Sequence, residues 1–179
     1  MTDSPIETVY EGRFLQVAKR GAWEYTTRAN ATGVVAVVAV HDDGRVVLVE
    51  QHRPPVNASV IEIPAGLVGD EDDSESLLTA AQRELEEETG YAAAQWTQLP
   101  TACTSPGLTD EAITFFLAQQ LTRMGEGGGV ASEDITTHEV PLEALPQWLE
   151  SARRENKQTS MKLLAGLYAA SAYLWKTTP

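Results

Sequence analysis

Glu75-Ser76-Leu77-Leu78-Thr79-Ala80-Ala81-Gln82-Arg83-Glu84-Leu85-Glu86-Glu87-Glu88-Thr89-Gly90-Tyr91 is the stretch on which the fold turns. Ser74 is a suitable N-cap just before it and Gly90 a suitable C-terminal stop, so the spacing predicts one helix between them. At 100° per residue Leu77, Leu78, Ala81 and Leu85 share an arc that would dock on a sheet. Glu84, Glu87 and Glu88 fall on an adjoining arc of about 100°, while Glu86 points elsewhere, to solvent. Carboxylates three and four residues apart repel one another, more so when half-buried, and this arrangement calls for a cation among them. Hard oxygen ligands suit Mg²⁺, with Mn²⁺ as a substitute. Arg83, four residues before Glu87, can pair with it and orient it. An acidic run on a helix is otherwise an ordinary solvated face.

Upstream, β-branched and aromatic residues from Ile6 to Val49 form short runs broken by Gly12, Gly21 and Asn30–Gly33, a strand pattern. Val34–Val40 and Val46–Val49, joined by His41-Asp42-Asp43-Gly44, predict a hairpin. The first of these runs is apolar at every position, so it belongs at the centre of a sheet covered on both sides. Val60–Ile63 is a further strand, ending at Pro64-Ala65-Gly66 and followed by the acidic loop Gly69–Asp73. Downstream, strands are expected near Trp96–Leu99, Ala112–Leu117 and Ile135–Val140, and the run Gly125-Glu126-Gly127-Gly128-Gly129 reads as a mobile loop. Helices are expected from about Leu142 to Arg154 and from about Ser160 to Trp175, the latter packing through Met161, Leu164, Ala165, Tyr168, Ala172 and Trp175. The fold class is α/β (α+β), an α/β/α sandwich with a mixed sheet, built from residues 1–179 as one domain with an N-terminal antiparallel β-region over about 1–32.

Composition narrows the partners. The net charge of -13 and pI near 4.5 would repel a nucleic-acid backbone, and no basic stripe offsets it. A phosphorylated small molecule meets the same repulsion unless divalent cations reverse the local field. The lone Cys103 permits no intramolecular disulfide or cysteine-based zinc site, and His52 and His138 stand outside any ligand cluster. The N-terminus lacks a secretory pattern and the longest apolar run is too short for a bilayer, so no membrane partner and a cytoplasmic location are expected.

Glu75, seven residues, then Arg83-Glu84-Leu85-Glu86-Glu87-Glu88-Thr89-Gly90-Tyr91 resembles the box of the Nudix hydrolases, Gly-x5-Glu-x7-Arg-Glu-U-x-Glu-Glu-x-Gly-U with U apolar. The box glycine falls on Gly69 by spacing but on Gly66 by local context, which would put about three extra residues in the loop before the helix. The resemblance implies a Nudix-like fold and metal binding by Glu84, Glu87, Glu88 and the Ala65 carbonyl, with Glu75 and Arg83 serving the box internally. Thr104-Ser105-Pro106-Gly107, with Pro106 sixteen residues after Gly90, is similar to the proline marker of the ADP-ribose pyrophosphatase branch. The approach Val49-Glu50-Gln51-His52-Arg53-Pro54-Pro55 and Ile61-Glu62-Ile63-Pro64-Ala65-Gly66 looks like the same branch.

By this resemblance Arg53 holds a diphosphate or ribose oxygen, its planar fork suiting bidentate contact, unless it is a surface ion pair. Glu62 assists at the ribose or the metal shell, or is plain strand-end surface. Glu133 is the expected general base, with Asp134 and Glu139 competing, and the glycine run would be its hinge. Trp23, beside Tyr25, would meet the nucleobase, often across a homodimer interface in such enzymes, although packing is the commoner fate of such aromatics. The implied reaction is hydrolysis of a nucleoside diphosphate sugar, ADP-ribose foremost. The alternatives are another such sugar, GDP-mannose for example, a non-catalytic nucleotide-sugar-binding module, and a purely structural acidic protein.

Overall fold

A computed structural model describes residues 4–69, 74–130 and 134–174. Three short strands open the chain as an antiparallel sheet: β1 (Ile6–Glu11), β2 (Leu15–Arg20) and β3 (Trp23–Arg28). The main, mixed sheet follows, made of β4 (Gly33–Val40), β5 (Arg45–Arg53), β6 (Ala58–Glu62), β7 (Ala65–Val68), β8 (Tyr91–Cys103), β9 (Ala112–Arg123), β10 (Thr136–Pro141) and the two-residue β11 (Gln158–Thr159). The helices are α1 (Leu77–Thr89), α2 (Leu145–Arg154) and α3 (Met161–Leu174). The path through the sheet is β11-β6-β5-β4-β9-β8, with β10 on β5 and β7 on β4, and the parallel pairs are β4 with β9 and β11 with β6.

β4 is central because both of its faces are apolar. Val34, Ala36, Val38 and Val40 pack with Leu163 and Ala170 of α3 and Leu145 and Ala152 of α2, while Val35, Val37 and Ala39 pack with Ala80, Ala81 and Leu85 of α1. An α/β/α sandwich results. The His41–Gly44 turn joins β4 to β5, and these two strands pair with each other only at Ala39↔Val47 and Val40↔Val46. The other half of that edge of β4 is taken by β7, from Gly33↔Val68 to Ala36↔Ala65. The sheet therefore splits beside Val37, whose N–H donates to the Pro64 carbonyl at 2.8 Å.

Several expectations are corrected. The cap of α1 is Ser76, whose Oγ accepts from the Thr79 N–H at 3.1 Å, rather than Ser74: the hydroxyl must stand one residue before the first helical turn to reach that amide. α1 docks through Ala80, Ala81, Leu85, Glu88 and Thr89, whereas Leu77 and Leu78 in its first turn are exposed, because the small alanines set the line of closest approach. α2 begins at Leu145 after a turn over 142–144, with Pro146 in the first turn where its missing N–H is not needed. α3 turns largely the opposite face inward, although Ala165 packs against the core as expected. Leu163, Gly166 and Ala170 are buried, while Met161, Leu164 and Tyr168 are exposed. Its close approach explains this, since a Cβ on Gly166 would sit 2.8 Å from Ile63 Cδ1 and 3.0 Å from Val38 Cγ2. Trp175 and most of the acidic loop, 70–73, lie outside the described residues. No helix among the described residues is long and apolar enough to cross a membrane.

Candidate active site

The split in the sheet places β7 directly under α1, and two box glutamates meet it there. The Ala65 N–H donates to Glu88 Oε2 at 3.2 Å, so the carboxylate of a residue only 4% exposed is tied to the strand. One residue on, a Cβ at Gly66 would lie 1.9 Å from Glu84 Oε1 and 2.0 Å from its Cδ, so only glycine lets the Glu84 carboxylate lie where it does. Gly69 is needed for another reason. Its φ is +79°, in the left-handed region, and a Cβ would come 2.8 Å from Thr32 Oγ1. The question of which glycine belongs to the box thus resolves into two roles: Gly66 makes room for the carboxylate, and Gly69 turns the chain into the loop.

Arg83 is the hub of the acidic cluster. Its Nε donates to Glu75 Oε1 at 3.0 Å, its Nη1 to Glu84 Oε1 at 2.8 Å and Glu87 Oε2 at 3.2 Å, and its Nη2 to the Leu67 carbonyl at 3.1 Å. The bond to Glu75, helped by the charges of Glu84 and Glu75, raises its pKa further still. The expected contact with Glu87 is present but is one of several. Glu75, Glu84 and Glu87 gather around the Arg83 guanidinium, and Glu88 lies one helical turn from Glu84, bonded to the strand. Among the described residues no three acidic, His or Cys side chains converge closely enough to enclose a metal ion as they stand. The donor set nevertheless fits one: the oxygens are hard, they exceed the positive charge bonded to them, and Gly66 leaves Glu84 space against the strand. Glu86 is exposed, as expected.

Arg53 ends β5 and Glu62 ends β6, and the two are bonded, Arg53 Nε to Glu62 Oε2 at 2.9 Å. Glu62 is not strand-end surface but 5% exposed, and Lys162 Nζ at the start of α3 lies 3.3 Å from its other oxygen. Burial alone would raise the Glu62 carboxyl, but Lys162 and Arg53 overcome that effect and hold it below its ordinary value. Glu62 thus orients a basic pair instead of standing free to meet a ribose. Lys162 escaped the sequence reading because its partner is remote in the chain and no local motif joins them.

Trp23 and Pro106, distant in sequence, line one cleft of about 270 Å³ together with Arg20, Tyr25, Gly107 and Asp110. The cleft exists because β3 is fastened to the Pro106 loop: the Thr26 N–H donates to the Leu108 carbonyl at 2.8 Å, and Arg28 pairs with Glu111 at 2.6 Å. Trp23 is 67% exposed, so it is not consumed in the core. Glu133 lies outside the described residues. Of its two competitors, Asp134 is exposed, and Glu139 is engaged by the Tyr91 hydroxyl and Arg45, which binds it into the end of the sheet. The glycine run is not a free hinge. It is packed on the C-terminal end of α1, where a Cβ on Gly127 would come 2.4 Å from the Thr89 carbonyl carbon.

The family model described as the NUDIX domain matches residues 30–163. The ADP-ribose pyrophosphatase of Bacillus subtilis (strain 168) is 37% identical over 129 residues, covering 72% of this chain and 68% of that protein. The ADP-ribose pyrophosphatase of Mycobacterium tuberculosis (strain ATCC 25618 / H37Rv) is 41% identical over 123 residues, covering 68% of this chain and 56% of that protein. The crystal structure of an ADP compounds hydrolase superposes with a TM-score of 0.73 at 22% identity, covering 95% of this chain and 91% of that one, a likeness of fold. The matched span takes in α1, the glycine-bearing β7 beneath it and the Arg53–Glu62 pair beside them, and this chain is a member of the Nudix family.

Proposed function

We propose that this Nudix protein hydrolyses the diphosphate of a nucleoside diphosphate sugar, with ADP-ribose giving AMP and ribose 5-phosphate. The observation that carries this reading is the pairing of box carboxylates with a strand that has no room for a side chain at Gly66: Glu84 and Glu88 are held against β7 at the split in the sheet. Glu84, Glu87 and Glu88, with the Ala65 carbonyl, are the residues that would hold Mg²⁺ or Mn²⁺. When bound, the ion would offset the charge of the diphosphate and lower the cost of activating water. Arg83 and Glu75 keep the carboxylates in register. Arg53, steered by Glu62, directs its remaining donors to a diphosphate oxygen. The cleft of Trp23 and Pro106 receives the base by stacking, and Glu133 takes the proton from the attacking water. Water adds its oxygen to one phosphorus, the bridging oxygen leaves with the other phosphate, and both products are monophosphates.

The names of the relatives and the presence of the box glutamates favour an enzyme over a binding module. The chain is proposed to act in the cytoplasm as one domain, paired as a homodimer through the N-terminal sheet, where Ile6, Val9, Tyr10, Phe14 and Leu15 are exposed. The test is turnover of ADP-ribose, GDP-mannose and nucleoside triphosphates with and without Mg²⁺. Magnesium-dependent release of AMP from ADP-ribose is the expected result, GDP-mannose as the faster substrate would redirect the assignment, and cleavage of triphosphates alone would refute it.

A further inference from the structure

We infer that Arg123 is a positioning residue which fastens the Gly125–Gly129 loop onto the end of α1 and so fixes the backbone from which Glu87 and Glu88 project. The inference rests on the proposed function for its consequence in catalysis, and on geometry of its own for the clamp. Arg123 is the last residue of β9. Its Nε donates to the Gly125 carbonyl at 2.6 Å and its Nη2 to the Glu126 carbonyl at 2.9 Å, while its guanidinium lies 5.0 Å from the centre of the Tyr91 ring. Tyr91 directly follows the Gly90 cap of α1, and its hydroxyl is engaged by Glu139. Arg123 is therefore gripped on one side by the loop and on the other by the residue that leaves the helix.

The loop closes on α1 through backbone hydrogen bonds. The Met124 and Gly125 N–H groups donate to the Gly90 carbonyl at 2.8 and 3.1 Å, the Gly128 N–H to the Glu88 carbonyl at 3.0 Å, and the Gly129 N–H to the Glu87 carbonyl at 2.9 Å. A helix leaves its last carbonyls without partners inside the helix, and here loop amides satisfy those of the two glutamates in question. Glycine is required for the approach. Gly127, Gly128 and Gly129 all have positive φ, and a Cβ on Gly90 would meet the Gly125 carbonyl oxygen at 2.3 Å. A glutamate side chain can hold an ion in fixed geometry only if its own Cα is fixed. Arg123 acts on those two positions through the loop backbone and Tyr91.

The experiment compares wild type, Arg123→Ala and Arg123→Lys, with Arg154→Ala on α2 as a control, by Mn²⁺ titration followed by electron paramagnetic resonance, steady-state kinetics and amide exchange. The expected result for Arg123→Ala is Mn²⁺ binding weakened by about tenfold, the scale on which groups that orient metal ligands act. Its kcat at saturating Mn²⁺ should fall while KM for ADP-ribose holds, Arg123→Lys should recover part of both losses, and Arg154→Ala should match wild type. The Gly128 and Gly129 amides should be protected in wild type and exchange faster in Arg123→Ala. Unchanged Mn²⁺ affinity in a folded Arg123→Ala, or unprotected Gly128 and Gly129 amides in wild type, would overturn the inference. A wild type that takes up no Mn²⁺ while those amides are protected, and lose protection in Arg123→Ala, supports the clamp and overturns the proposed function instead.

Discussion

The two faces of β4 are built from the same kind of residue and covered by helices of similar length, yet they do different work. On the α3 face the contacts are apolar and interlocking, Leu163, Gly166 and Ala170 against Val38, Ile63 and Phe115. On the α1 face the inner half is equally apolar, but the helix then carries a buried glutamate and an acidic cluster, and the strand beneath it has a glycine under a carboxylate. Burying charge and crowding like charges both oppose folding. One face is optimised for cohesion, and the other sacrifices some cohesion to hold carboxylates in place.

Substitutions on each face should separate turnover from stability. The largest effect on activity is expected for Glu88→Gln, which should lower kcat by more than about a hundredfold, the equivalent of a few kcal/mol of lost transition-state stabilisation. Steady-state kinetics beside a thermal melt checks it, and a variant with normal turnover would erase the distinction between the faces. Gly66→Ala and Gly166→Ala sharpen it. The first drives a Cβ into the Glu84 carboxylate and should cost about ten- to a hundredfold in activity. The second overpacks the apolar face at Ile63, costing about 1–3 kcal/mol in urea unfolding with turnover per folded molecule unchanged. Leu163→Ala, on the same apolar face, should lose about 2–5 kcal/mol of stability and likewise keep its kcat.

A smaller effect concerns pH. Because the folded Glu62 carboxyl lies below its ordinary value of 4.5, its ionised form contributes fully to stability above that pH, and the contribution is lost as the pH falls through the folded value. Glu62→Gln should therefore flatten the acid limb of stability measured by urea midpoints below about pH 5. A mutant limb as steep as that of wild type would show that Arg53 and Lys162 do not govern this carboxyl.

Much of the α1 face was legible in sequence because its information is local. Glu84, Glu87 and Glu88 fall together by helical spacing alone, and the unbroken apolar run of β4 announces burial on both sides. What failed was tertiary. Met161, Leu164 and Tyr168 are larger than Gly166 and Ala170, so the spacing of large side chains pointed away from the face of α3 that is buried, where close approach to Ile63 favours small residues. The glycine run has the composition of a hinge, and only its contact with the far end of α1 shows why glycine is required there. The Arg53–Glu62–Lys162 link likewise joins residues that no sequence window contains.

The central claim is that the box carboxylates at the split in the sheet gather divalent ions. Anomalous diffraction from crystals soaked in Mn²⁺ and a non-hydrolysable ADP-ribose analogue tests it directly. The account predicts manganese peaks bounded by Glu84, Glu88 and the Ala65 carbonyl, with the analogue's diphosphate against them. A map with no peak there, and Arg83 still bonded to Glu84 and Glu87 beside a bound analogue, would contradict it.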